Sequence, residues 1–350
     1  GGAGSSSRCG MRLASAVLAA LATAVAFAAS GSAGPASGSQ AGPSIRVVKI
    51  HYRAHNGVRR AAYVVLPADY GPGNAPPIPL VISPHGRGLT GRHNYPIWGN
   101  LPAHGGFAVV SPDGHGRRLP RHSWGWRGQV DDLARMPEIV RRTLPWLRID
   151  RDRVYAFGGS MGGQEVLLLA ARYPDRVAGV AAFDAVTNFA RQYRAFPRLG
   201  CARACRAAWK GPIGLGLQQL ARYEVGGTPG TKPAEYAARS PVGYLRSLAF
   251  SCVPIQMWWS VADRVVVDQE HQSARLFWNI RGLNPIAPVQ GFVGFWIHTA
   301  EMRARSQLPR ALAEFGLLPS APSGRGPVRT IPAESSASNC TPAGPATDAP

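Results

Sequence analysis

Residues 154–163 read Val-Tyr-Ala-Phe-Gly-Gly-Ser-Met-Gly-Gly, and this stretch limits the fold more than any other. A short apolar run ends in glycines, one serine stands at the turn, and an apolar helical stretch (164–173) follows. Gly158-Gly159-Ser160-Met161-Gly162 matches G-x-S-x-G, the strand–turn–helix that holds a nucleophilic serine. The serine backbone must be strained so that its hydroxyl stands clear of the sheet. Small residues at 158 and 162 must keep strand and helix from colliding. The helix N-terminus behind the serine then offers N–H groups and a positive dipole end to a developing oxyanion. Glycine and serine are common in turns; the apolar strand before and the apolar helix after give the match its weight.

Around this stretch, strands and helices alternate. Residues 45–52 and 60–66 read as two strands, expected as a hairpin at the sheet edge. A Pro/Gly loop (67–79) precedes a short buried strand at 80–83, which leads into Pro84-His85-Gly86-Arg87-Gly88. Residues 107–111 form another strand and 114–128 a polar loop with Trp124 and Trp126. Residues 131–146 have helical periodicity, with Asp131 and Asp132 favourable near the N-terminus. The 154 strand, its helix and a strand at 177–183 follow. This order predicts an α/β fold, a mostly parallel sheet flanked by helices. Residues 184–249 break the rhythm; long, aromatic- and arginine-rich, they read as a cap over the sheet. A strand at 253–261, a helix at 270–281, a strand near 287–293 and a final helix over about 300–315 resume it.

At 350 residues and 45% hydrophobic content, the chain can bury a large core. Residues 11–29 follow Arg8, include Arg12, and run apolar and alanine-rich to small residues at Ala26 and Ala28. That is the pattern of a secretory signal peptide, and the run is short for a membrane span. Residues 30–43 read as a disordered linker and 319–350 as a disordered Ser/Pro/Ala tail, leaving 44–318 as the catalytic domain. An exported chain can form disulfides. Cys9 goes with the signal, and Cys201, Cys205, Cys252 and Cys340 allow three pairings that the sequence does not choose among. A bond from Cys252 to Cys201 or Cys205 would staple the cap to the sheet. Net charge is +20, nearly all from arginine, since Lys49, Lys210 and Lys232 are the only lysines. The arginines are scattered and no nucleic-acid motif accompanies them, so no nucleic-acid partner is expected.

A serine hydroxyl needs a base to take its proton, and the base needs an acid to orient it. With the serine on a mid-chain elbow, the expected chain order is Ser, then Asp or Glu, then His. Of nine histidines, only His271 and His298 follow the strand at 253–261. His298 stands after the last α/β strand, in Gly-Phe-Trp-Ile-His-Thr, and is the expected base. His271, in Asp-Gln-Glu-His-Gln, reads as an exposed helix face. Asp263 lies just past a strand, where open α/β sheets place their sites, and is the expected acid. Asp184, which also ends a strand, is the alternative; Asp268 reads as a helix N-terminal charge. The N–H groups of Arg87 and Met161 are the candidate oxyanion donors, with Gly86 allowing close approach. Trp124 and Trp126 are candidate substrate-pocket residues, joined by Phe196, Trp209, Tyr223, Tyr236 and Tyr244 of the cap. The cysteine spacing matches no zinc signature, and no metal or organic cofactor is expected.

Taken together, His85-Gly86-Arg87-Gly88, residues 149–155, residues 158–163, Ala238-Arg239-Ser240-Pro241, Asp263-Arg264-Val265-Val266 and His298 resemble the α/β-hydrolase superfamily. Over roughly residues 80–315 the chain is most similar to the catalytic domain shared by two groups. One is the prolyl-oligopeptidase-type serine hydrolases; the other is secreted esterases of the feruloyl-esterase and polyhydroxybutyrate-depolymerase kind. The resemblance implies Ser160 as nucleophile, Asp263 as acid and His298 as base. It implies a secreted serine hydrolase acting on small-molecule or polymeric carboxylic esters, with no membrane insertion once the signal is removed. A prolyl-oligopeptidase-like peptidase is the alternative among enzymes, and a non-catalytic binding protein of the same fold the alternative outside them. No stretch is long enough for the N-terminal β-propeller of the peptidases, which favours esters.

Overall fold

The computed structural model describes residues 43–73, 76–199, 213–319, 327–334 and 340. The expected signal peptide, nearly all of the expected linker, Cys201, Cys205 and Trp209 lie outside them.

In chain order the elements begin with β1 (Ile45–Arg53), β2 (Arg59–Pro67), β3 (Ile78–Ile82), α1 (Gly91–Asn94), α2 (Leu101–Gly105) and β4 (Ala108–Pro112). Then come α3 (Arg127–Ala134), α4 (Met136–Thr143), β5 (Ile149–Gly159), α5 (Met161–Arg172) and β6 (Gly179–Phe183). The inserted segment holds α6 (Phe189–Ala195), α7 (Ile213–Val225), α8 (Pro233–Ala238) and α9 (Leu245–Phe250). The chain returns with β7 (Ile255–Ser260), α10 (Ser273–Leu283), β8 (Val289–Gly294), α11 (Leu308–Glu314) and β9 (Arg329–Ile331).

Among the described residues the strands form one sheet in the order β1-β2-β4-β3-β5-β6-β7-β8-β9. β3 through β8 run parallel, while β1 and β2, and β9 at the far edge, pair antiparallel. The expected edge hairpin is β1–β2, in register from Ile45 opposite Pro67 to Arg53 opposite Arg59. Every residue of β3, β4, β6 and β7 is buried, because helices cover both faces. Continuous apolar runs, not alternating ones, are what such strands require.

The two faces still divide by the strand period of two. Leu80, Ile82, Ala156 and Met257 join one core with the inner sides of α3, α5 and α10. Val81, Phe157, Phe183, Trp258 and Phe292 join the other, under α11. On that second face an aromatic ladder crosses four adjacent strands: Phe157–Phe183 at 6.4 Å, Phe183–Trp258 at 5.6 Å and Trp258–Phe292 at 3.9 Å between ring centroids. Helix α5 is buried from Met161 to Ala171, so its apolar residues are not confined to one stripe.

Four sequence expectations are corrected. The single helix over 131–146 is two, because Pro137 has no N–H to continue the ladder and the chain breaks at Arg135. The final helix is short: Pro309 sets its start, and 299–307 form turns instead. The 319–350 tail is not featureless, since β9 pairs with β8, placing Ile331 opposite Gly291 and Arg329 opposite Val293. Arg281 holds this segment by an ion pair to Glu334 and a 3.1 Å bond to the Pro332 carbonyl. Cys252 bonds to Cys340 rather than to the cap. The extra strand brings the tail back along the sheet edge to the turn before β7, where Cys252 sits. A three-residue strand is too short to show a period, which is why the sequence reads as irregular there.

Candidate active site

Ser160 occupies the single residue between β5 and α5, with φ 59° and ψ −120°. A non-glycine residue pays for a positive φ, and persists there only when its surroundings fix it. Three backbone bonds do so. Ser160 N donates to Phe183 O at 2.8 Å, and Ser160 O accepts from Gln164 N at 3.1 Å and Val186 N at 3.5 Å. The flanking glycines are steric necessities. A Cβ at Gly158 would overlap the Gly162 carbonyl oxygen, and one at Gly162 would lie 2.6 Å from the Pro84 carbonyl oxygen.

Beyond β7, Asp263 is buried and its Oδ1 accepts the N–H groups of Val265 (2.8 Å) and Val266 (3.2 Å). Its Oδ2 accepts Gln269 Nε2 at 3.0 Å and lies 2.9 Å from His298 Nδ1. An ionised carboxylate only accepts, so Nδ1 carries the hydrogen and Nε2 keeps a lone pair for an incoming proton. The next residue, Thr299, has φ 55°, and its Cγ2 would lie 3.0 Å from a Cβ on Gly159. The base loop therefore rests on the elbow. Burial alone would lower the His298 imidazole; the Asp263 charge and hydrogen bond, with Asp184 behind them, outweigh it and hold the imidazole above its ordinary value.

Asp184, the alternative acid, ends β6 and is fully buried. It is 3.9 Å from His298 Nδ1, an ångström farther than Asp263. Its Oδ1 accepts Ser260 N and its Oδ2 accepts Thr299 N, each at 2.8 Å. The carboxylate thus ties the end of β7 to the base loop. Burial, and then the nearby Asp263 charge, push Asp184 up to about 7. Glu301, also buried, is pushed well above the carboxylate range by burial and then by Asp184. Asp184 accepts two amide N–H groups, whereas neither carboxyl oxygen of Glu301 has a hydrogen-bond partner, so burial disfavours charge on Glu301 the more. Asp184, Asp263 and His298 bring donor atoms within 4.8 Å of one another, a metal-like spacing. Their oxygens already face N–H donors, which fits a hydrogen-bonded cluster better than a cation.

The loop after β3 is set by His85. Gly114 N donates to His85 Nε2 at 2.8 Å, so Nδ1 carries the hydrogen and donates to Gly86 O, also at 2.8 Å. Burial lowers this imidazole to about 4, which keeps it neutral. Leu89 N also donates to Gly86 O, at 3.2 Å. In a trans peptide C=O and N–H point in opposite directions, so fixing the Gly86 carbonyl also fixes the Arg87 N–H. The loop borders the elbow through the Pro84 contact with Gly162, and Met161 follows Ser160 directly. Burial lowers the Arg87 guanidinium to about 10, and its charge reaches His298.

Most of the aromatic candidates take part in packing. Trp124 is buried, stacks on Phe189 at 5.7 Å, and shares a core with Met161, Val186 and Val266. Trp126 donates to His55 Nε2 at 3.3 Å and lies between Arg239 and Arg117. Phe196 and Tyr236 fill the interior of the inserted segment, Tyr223 projects into solvent, and Tyr244 is bonded to the Ala238 carbonyl. The inserted helices need a core, and Phe196 and Tyr236 help to supply it. His271 is at the surface, as its sequence context suggests, and Asp268 pairs with it there instead of capping the helix through its side chain. Two features were not anticipated. Glu301 shows no sequence signal. Buried Glu224 accepts Arg117 N (2.6 Å), Arg118 N and Leu119 N (2.8 Å each) and pairs with Arg239 at 3.1 Å, clamping α7 to the 114–128 loop. A lone glutamate late in an amphipathic helix does not announce such a role.

A family model described as the alpha/beta hydrolase fold matches residues 79–197. No curated protein matches the sequence. Among solved structures, an acylaminoacyl peptidase of Pyrococcus horikoshii superposes with a TM-score of 0.55 at 16% identity, over 78% of this chain and 41% of that one. An esterase of Pyrobaculum calidifontis gives 0.52 at 17% identity, over 73% and 76%. Prolyl oligopeptidase B of Galerina marginata gives 0.51 at 13% identity, over 74% and 34%. The sheet order, the strained serine between β5 and α5, and the family model matched over residues 79–197 together show an α/β-hydrolase fold. It spans under half the length of either peptidase, and the fold hosts both ester and peptide chemistry, so the fold does not choose the bond.

Proposed function

We propose that the protein is a serine hydrolase that cleaves carboxylic esters. The observation that carries the reading is the 2.9 Å bond between His298 Nδ1 and Asp263 Oδ2, on a loop pressed against the strained Ser160. Ser160 Oγ attacks the ester carbonyl while His298 Nε2 takes its proton. The N–H groups of Arg87 and Met161 stabilise the oxyanion. His298 returns the proton to the leaving alkoxide, and water then frees the acyl group by the same steps. Esters are preferred because an alkoxide needs less help to leave than an amine. Efficient amide cleavage also needs the scissile bond held in register, and Phe196 and Tyr236 of the inserted segment are spent on packing.

Ser160→Ala should lower turnover at least about 10⁴-fold without unfolding the protein. kcat/KM should favour aryl or short-chain esters over aminoacyl amides by orders of magnitude; comparable rates on a proline-containing peptide would make the protein a peptidase instead. We also propose that it works outside the cytoplasm. The signal-like residues 11–29 and the Cys252–Cys340 bond support this. No described helix is long and apolar enough to cross a membrane.

A further inference from the structure

Beside the base, three large apolar side chains face solvent: Phe295 is 79% exposed, Ile297 72% and Val261 60%. They are not on a loose loop. Beyond β8 the chain keeps the strand's in-and-out alternation. Trp296 folds back over Gly294 onto the core that holds Phe292, so Phe295 and Ile297 turn outward. Ser260 Oγ accepts from Trp296 N at 3.0 Å and donates to Trp296 O at 2.6 Å. Val261 N donates to Gly294 O at 3.0 Å, which sets Val261 beside Phe295. A fixed ledge of exposed apolar groups is the mark of a contact surface rather than of packing.

Its place on the base loop says what it contacts. When the ester breaks, the Ser160 Oγ–C bond forms and the C–O bond to the alcohol breaks. The proton that His298 Nε2 took from Ser160 passes to that alkoxide oxygen, which must lie within hydrogen-bond reach of the imidazole. The alcohol half of the substrate therefore lies on the His298 side, and Ile297 is the residue before the base. We propose that Phe295, Ile297 and Val261 form the leaving-group side of the site and select esters of bulky apolar alcohols. The proposal rests on the serine-hydrolase reading.

Three esters with alkoxides of similar basicity test it: ethyl acetate, 2-cyclohexylethyl acetate and ethyl decanoate. In F295S/I297S, the kcat/KM ratio of 2-cyclohexylethyl acetate to ethyl acetate should fall at least tenfold from the native value. The ratio of ethyl decanoate to ethyl acetate should stay within twofold, and Phe295→Leu with Ile297 intact should keep most of the first ratio. An unchanged first ratio, or a fall confined to the decanoate, would overturn the subsite while leaving the hydrolase standing. A native dimer in sedimentation that F295S/I297S dissolves would reassign the ledge to a second copy and also overturn it. No native turnover of any of the three esters would count against the ester reading itself rather than the subsite.

Discussion

His298 is pulled two ways, by burial that lowers its imidazole and by Asp263 that raises it, and the carboxylate prevails. The base works only when neutral. Ester kcat/KM should therefore rise with pH along a limb that lies above the ordinary histidine value. Asp263→Asn should move that limb to lower pH and cut the rate by roughly 10⁴-fold, as losing the orienting acid does in such triads. A native limb at or below the ordinary value would contradict the pairing. Asp184 makes a separate prediction. Asparagine there could accept from Ser260 N or Thr299 N, but its NH₂ would face the other N–H. Asp184→Asn should lower kcat by roughly 10- to 100-fold through the displaced base loop, with little change in KM. An unaltered kcat would show that the two amide bonds do not position His298. At this scale the strained Ser160 turn was legible because close spacing constrains it. The candidate acid was less so, because Asp184 and Asp263 both follow strand ends, and only coordinates show which carboxylate meets His298 Nδ1 at 2.9 Å. Glu301 was not legible, since contact with Asp184 is made only in three dimensions.

Elements were read well where burial writes a long pattern and poorly where one residue or a few decide. β3, β5, α5 and β7 carry apolar runs that only covered strands and helices need. Pro137 divided a helix that periodicity alone would join, and β9 was invisible because its support comes from β8, Arg281 and Cys340 rather than from its own sequence. The bond closes 88 residues of chain, which in the chain-entropy model stabilises by about 4–5 kcal/mol. Cys340→Ser should lower the unfolding free energy by up to that amount. Material recovered outside the cell should begin near residue 29 and carry the Cys252–Cys340 link in a peptide map. Free thiols at both positions, or Cys252 joined to Cys201 or Cys205, would contradict the staple.

For the whole molecule, a parallel sheet covered on both faces brings the ends of β5, β6, β7 and β8 to one edge, and each end delivers one part of the site. Ser160 follows β5, Asp184 follows β6, Asp263 follows β7 and His298 follows β8. Chain order alone suggested this convergence. The role of the cap aromatics could not be read the same way, because a ring that fills a core and one that lines a pocket look alike in sequence. The central claim is that Ser160 is activated by His298. A fluorophosphonate probe measures it directly, since it forms a covalent adduct only with an activated serine. One adduct per chain should form and map to the peptide holding Ser160, with labelling slowed at least about 100-fold in His298→Ala. No adduct on the folded native protein, or an adduct on another serine, would contradict it.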